Sequence, residues 1–112
     1  LVNGEKGESS KDIKKRVITA TQIQKERFKG TSIRFNSSIP SSRIEEFCQL
    51  SKKDEQYMKD VYENLDLSAR SYFKILKVAR TLADMDESKN IETRHLKESV
   101  FYRSIDKKFW ER

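Results

Sequence analysis

One stretch constrains this chain more than any other: Leu67 to Met85, its longest uninterrupted helical pattern. With Tyr72 at zero and about 100° of turn per residue, Tyr72, Ile75, Leu76, Ala79, Leu82 and Ala83 share one arc. Arg70, Lys74, Lys77 and Thr81 form a stripe on the opposite side. One face is built for burial, and the other carries three positive charges. Ser68 is a good N-cap, and Leu67 before it is placed to staple onto Tyr72. Arg70 then falls in the first turn, where the helix dipole disfavours a cation. A positive charge held against that field points to an anion nearby.

The apolar arc needs other elements to cover it, and composition says which kind. Three Gly and one Pro in 112 residues fit helices better than a turn-rich β fold. The length allows one small domain. With 35% hydrophobic and 38% charged residues, its core should be thin. Six Phe, four Tyr and one Trp, with the helical periodicity, argue against disorder beyond about Ile13. The formal net charge of +6 is uneven. Residues 1–35 hold nine Lys/Arg against four Asp/Glu, while residues 36–112 hold fifteen against fourteen. A dedicated nucleic-acid reader would concentrate charge on its recognition element. Cys48 is alone, which favours a cytoplasmic setting. No run approaches the ~18 apolar residues of a membrane span, so no membrane partner is expected.

Taken in order, residues 1–10 are polar and Gly-rich and read as a linker or frayed end. Residues 11–30 read as a helix capped by Ser9 or Ser10, with a seam of Ile13, Val17, Ala20 and Gln24, and Gly30 as its stop. Its Lys, Arg and Gln face is either solvated or set against phosphate or an acidic partner. Residues 31–39 form a loop in which Ile33 and Phe35 are expected to tuck onto the core. Pro40 opens a short helix burying Ile44, Phe47 and Cys48. Ser51 caps the next helix, with Met58, Val61, Tyr62 and Leu65 on its apolar face. Only Asn64 to Leu67 then lead into the central helix, so the two should be roughly antiparallel neighbours. After a polar turn, Thr93 is expected to cap a last helix to about Tyr102. The tail ends in Phe109 and Trp110, which either fold back or mark a contact. Residues 40–112 thus read as one helical domain.

Catalytic chemistry is missing. Gly4 and Gly7 do not have the spacing of a phosphate loop. His95 is a lone histidine, and with one Cys there is no zinc-type ligand set, so it reads as an ordinary hydrogen-bonded side chain. Glu45–Glu46 and Asp86–Glu87 are adjacent acids with nothing to separate their pKa values. No catalytic or metal-ligating residue emerges. The basic stripe remains: a guanidinium at Arg70 can grip phosphate with two parallel hydrogen bonds, while a solvated helix face is the plainer account.

The run from Leu67-Ser68-Ala69-Arg70 through Tyr72, Ile75-Leu76-Lys77-Val78-Ala79-Arg80-Thr81-Leu82-Ala83-Asp84 resembles a known signature. It is similar to the C-terminal domain of magnesium-chelatase-like AAA+ ATPases, the family of the competence M-type proteins. Glu8-Ser9-Ser10 with Ile13, Arg16-Val17, Gln24 and Arg27-Phe28 match further, as do Phe47-Cys48-Gln49-Leu50, His95, Tyr102-Arg103-Ser104 and Asp106. The resemblance covers nearly all of residues 8–110. It implies an all-α bundle of the AAA+ lid type with a preceding helix, following an upstream α/β ATPase core. It implies ring-forming homo-oligomers, with ATP and Mg²⁺ bound by the full-length parent and neither by this piece alone. Arg70 takes the place of the sensor-2 arginine that reaches the ATP γ-phosphate, with Lys74 and Lys77 as supporting charge. Related proteins are linked to DNA processing. Thr21 stands where the family usually has Arg. The parent is then expected to be an ATPase, and this piece inactive by itself. The rival reading is a stand-alone basic helical module that binds DNA or mediates protein assembly.

Overall fold

The computed structural model describes residues 9–105. It holds five α-helices and, among the described residues, no strand: α1 (Ser10–Arg27), α2 (Ile44–Phe47), α3 (Lys52–Asn64), α4 (Ala69–Met85) and α5 (Thr93–Ile105). The all-α expectation holds. The pattern of polar and apolar positions along the chain becomes a bundle with α4 at its centre, packed mainly on α5 and α1. Residues 1–8 and the expected tail aromatics Phe109 and Trp110 lie outside the described residues.

Three helices begin on serine caps. Ser9, Ser51 and Ser68 accept hydrogen bonds from the backbone N–H groups of Asp12, Asp54 and Ser71 at 3.1, 3.2 and 3.0 Å. Each satisfies a donor that the first turn leaves without a partner. The ends are less regular. The first helix stops at Arg27, before the expected Gly30. Gly30, at φ 81°, instead occupies the left-handed corner of a turn closed by Thr31 N–H donating to Phe28 O at 2.9 Å. Helices α3 and α4 both end in Schellman motifs. Leu67 N–H donates to Tyr62 O and Ser88 N–H to Ala83 O, at 3.1 and 2.8 Å. Their left-handed corners are Asp66 and Glu87, at φ 51° and 57°, where glycine is usual.

The core gathers Phe28, Ile39, Ile44, Cys48, Met58, Leu67, Ile75, Leu76, Ala79, Ala83, Ile91 and Leu96. Ala79 and Ala83 are fully buried; their small side chains let neighbouring helices approach α4 closely. Ser99 Oγ, buried on α5, donates to Ile75 O at 2.8 Å, which fixes the α4–α5 register. Helix α3 meets α4 through an edge-to-face pair, Tyr62 on Tyr72 with centroids 5.5 Å apart.

Several expectations are corrected. Phe35 is 51% exposed, and its neighbour Asn36 is the residue fully buried. Residues Asn36–Ser38 and Ser41–Arg43 form 3-10 turns, the second running into α2. Ile13 and Val17 continue the seam of Ala20 and Gln24, yet both stay about half exposed, because burial along α1 is confined to its carboxy-terminal half, at Ala20 and Gln24. Tyr62, Leu65 and Phe101 are likewise exposed. Thr93 is the first residue of α5, and its hydroxyl donates to buried Asp54 of α3. The cap is made instead by His95, whose Nδ1 accepts from Glu92 N–H at 3.0 Å.

Candidate anion-binding groove

Arg70 is the second residue of α4, exposed, and among the described residues it makes no hydrogen bond or ion pair. It opens onto a groove of about 350 Å³ lined by Ser37, Arg70, Lys74, Lys77, Val78, Thr81 and Leu82. The structure therefore brings together all three cations singled out in the sequence. Helical spacing alone puts them on one face; the wall opposite comes from the 3-10 turn at Asn36–Ser38. Lys77 Nζ donates to Ser37 O at 3.4 Å across it. Val78 and Leu82 supply an apolar floor. Leu82, expected in the buried arc, is only half-buried because it belongs to this floor.

The groove's wall is held by a buried network that sequence reading did not find. Asp84 is fully buried at the far end of α4. Arg27 of α1 grips it with a two-point fork, Nη1 to Oδ2 at 2.8 Å and Nη2 to Oδ1 at 2.6 Å. Arg80, one turn back on α4, lies 3.1 Å from Oδ1. Asn36 Nδ2 donates to Asp84 Oδ2 at 2.9 Å and to Thr81 Oγ1 at 3.0 Å, while its Oδ1 accepts from Arg27 Nη1 at 3.0 Å. Its backbone N–H donates to Gln24 Oε1 at 2.9 Å. Arg80 also donates to the carbonyls of Lys89 and Ser88, at 3.1 and 2.9 Å, bracing the turn after α4. Burial pulls its guanidinium below the usual arginine value, against the opposing pull of Asp84. Phase carried a signal only for Arg80, at roughly 80° from Tyr72 on the flank of the apolar arc; Asp84, at roughly 120°, falls beside Lys77 at the edge of the cationic stripe, so its burial was not legible from periodicity.

The remaining candidates are structural. Cys48 is buried, and desolvation pushes its thiol up to about 11, despite the opposing charges of Arg80, Arg27 and Lys77. His95 is 1% exposed, with Nε2 2.9 Å from Asp86 Oδ2. Since Nδ1 accepts from a backbone N–H, Nε2 carries the proton and donates. Thr21 is exposed, its hydroxyl donating to Val17 O at 2.8 Å. Among the described residues, no group of three or more His, Cys, Asp or Glu side chains could hold a metal ion. No described helix is long and apolar enough to cross a membrane.

Fold and groove define a class: a small helical domain that presents a cationic groove along its central helix. The chain belongs to the family described as magnesium chelatase, subunit ChlI C-terminal, whose model matches residues 7–103. It is 40% identical over 102 residues to the uncharacterized protein YifB of Salmonella typhimurium, covering 91% of this chain and 19% of that protein. It is 41% identical over 101 residues to YifB of Escherichia coli, covering 90% and 19%. With the competence protein ComM of Haemophilus influenzae it shares 35% over 102 residues, covering 91% and 19%. The chain thus spans about a fifth of the length of these relatives.

Proposed function

We propose that this chain is the helical lid of an AAA+ ATPase, and that Arg70 contacts the γ-phosphate of ATP bound by the upstream core. One observation carries the reading: an exposed arginine with no partner among the described residues, at the start of the central helix, opening onto a groove with two lysines. The groove lining has three cations and no carboxylate. That chemistry fits phosphate and offers Mg²⁺ no carboxylate, which suits a metal held mainly by the core.

A guanidinium that meets phosphate only when ATP is bound gives the two nucleotide states different contacts, and so biases lid position. The Asp84 network makes the bias useful. It ties α1, the helix nearest the chain's beginning, to the helix that bears Arg70, so that movement of one carries the other. Lys74 and Lys77 raise the local positive potential. The competence name of the Haemophilus influenzae relative favours DNA processing as the parent's work. A ring of copies is the assembly in which such a lid would act.

Arg70→Ala in the full-length protein tests this. Losing a charge-assisted contact to phosphate costs about 1.5–3 kcal/mol, so ATP turnover should fall roughly tenfold to a hundredfold while the helical signal of the lid is unchanged. Unaltered turnover and ATP affinity would sink the assignment.

A further inference from the structure

The side chains that line the groove differ in what they still have to offer an anion. Two of them carry hydroxyls. Thr81 Oγ1 donates its one proton to Lys77 O at 3.2 Å and accepts from Asn36 Nδ2 at 3.0 Å, so it has no proton for a ligand. Ser37 is exposed, and its hydroxyl makes no hydrogen bond among the described residues. Val78 and Leu82 are apolar. Away from Arg70, at the end walled by the Asn36–Ser38 turn, an anion would therefore meet the Ser37 hydroxyl and the Lys77 ammonium.

Lys77 is also aimed. Its one hydrogen bond among the described residues runs across the groove to Ser37 O, at 3.4 Å. That is longer than an ordinary hydrogen bond of this type, enough to orient the ammonium without saturating it. An ammonium has three N–H donors, and one on the wall leaves two for the groove. The wall itself is held firmly. Ser38 N–H donates to Phe35 O at 2.9 Å and Ile39 N–H to Asn36 O at 3.1 Å. Asn36, fully buried, bonds Arg27 and Gln24 of α1 and Thr81 and Asp84 of α4. The carbonyl that orients Lys77 thus belongs to a turn pinned by both helices.

We infer that Lys77 and the Ser37 hydroxyl form the inner half of a phosphate site whose outer half is Arg70, and that the Ser37 carbonyl, with Asn36 behind it, positions Lys77. Arg70 and Lys77 are two turns apart on one face of α4, separated by about 20° of turn and about 10.5 Å of rise. Their long side chains converge from the two ends on one phosphoryl group between them. Arg70 supplies a planar fork, Lys77 a point charge with two N–H donors, and Ser37 an O–H. No carboxylate lines the groove to repel the ligand. The inference rests on the reading that this groove receives phosphate. It adds that Lys77 touches the phosphoryl oxygens, while Lys74 on the same groove contributes only charge.

Isothermal titration calorimetry of the chain with tripolyphosphate, at about 0.05 M salt, tests it. Lys77→Met should weaken binding about tenfold, the loss of a charge-assisted hydrogen bond. Lys77→Arg keeps charge and donors and should bind within about threefold of the wild type. Ser37→Ala removes the hydroxyl but leaves the orienting carbonyl, and should cost about threefold. Lys74→Met removes the same charge from the same groove and should cost less than about threefold. None of the three positions belongs to the buried core, and circular dichroism checks that each variant remains helical. Equal losses at Lys74 and Lys77 overturn the inference, since charge alone would explain them; so does a wild-type chain that binds no tripolyphosphate. Arg70→Ala in the full-length protein keeps the two readings apart. Intact ATP turnover, with Lys77 outranking Lys74 for tripolyphosphate, drops the lid and keeps the anion site. Reduced turnover, with Lys74→Met and Lys77→Met alike, keeps the lid and drops this site.

Discussion

Asp86 shows how much one side chain at a helix end can hold. It accepts from Arg94 at 2.6 Å and from His95 at 2.9 Å, and Arg16 of α1 reaches its other oxygen at 3.2 Å. Burial pushes its carboxyl up, but the bonds from His95 and Arg94 together outweigh that and hold it below its ordinary value. The sign follows. A carboxylate with a depressed folded-state pKa stabilises the fold above the unfolded-state value, about 3.9, and loses that contribution as pH falls through the lower folded-state value. Asp86→Asn should therefore flatten the acid limb of stability against pH below about 4. Urea titrations at several pH values measure it; an unchanged acid limb would mean that the cluster contributes nothing. His95 was legible as an ordinary hydrogen-bonded histidine. Its partners were not, because Asp86 and the Glu92 N–H come within its reach only once α4 has turned into α5.

The scale of the element belongs to the joint between α1 and α4. Asp84 is fully buried between two guanidiniums and an amide. Removing one member of such a buried pair leaves charge without compensation, which costs about 3–5 kcal/mol. Asp84→Ala should destabilise the domain by that order and Arg27→Ala by a similar amount. In a double-mutant cycle the two should be far from additive, since each removes the same ion pair. Urea denaturation of the two single variants and the double one checks this. Additive losses would mean that the two residues act independently. The cost falls on a small domain with a thin core, so the joint is among the features least able to tolerate change. Its residues were present in the central pattern as Arg80, on the flank of the buried arc, and Asp84, at the edge of the cationic stripe. Their role needed Arg27 and Asn36, which lie 57 and 48 residues from Asp84.

For the whole molecule, charge distribution separates the lid reading from a stand-alone DNA binder. If Arg70, Lys74 and Lys77 bound duplex phosphates, log affinity against log salt should fall with a slope of about −3. The lid reading expects weak or no DNA binding by the isolated chain at about 0.15 M salt, because on that reading the groove takes a phosphate delivered by another domain. Fluorescence anisotropy with a labelled duplex at two salt concentrations decides. Saturable binding with the steep slope would favour the DNA module.

The sequence by itself determined the helical class, the serine caps, the buried arc of α4 and the facing of Arg70, Lys74 and Lys77. These depend on local hydrogen bonds and a fixed turn per residue, which neighbours within one helix settle. Tertiary structure decided the rest: that Ser37 walls the groove, that Asn36 is buried and Phe35 is not, and that half of α1's seam stays uncovered. Each of these depends on which distant segment arrives opposite, and periodicity carries no record of that. The central helix announced its own two faces, and only the folded chain decided what would stand against them.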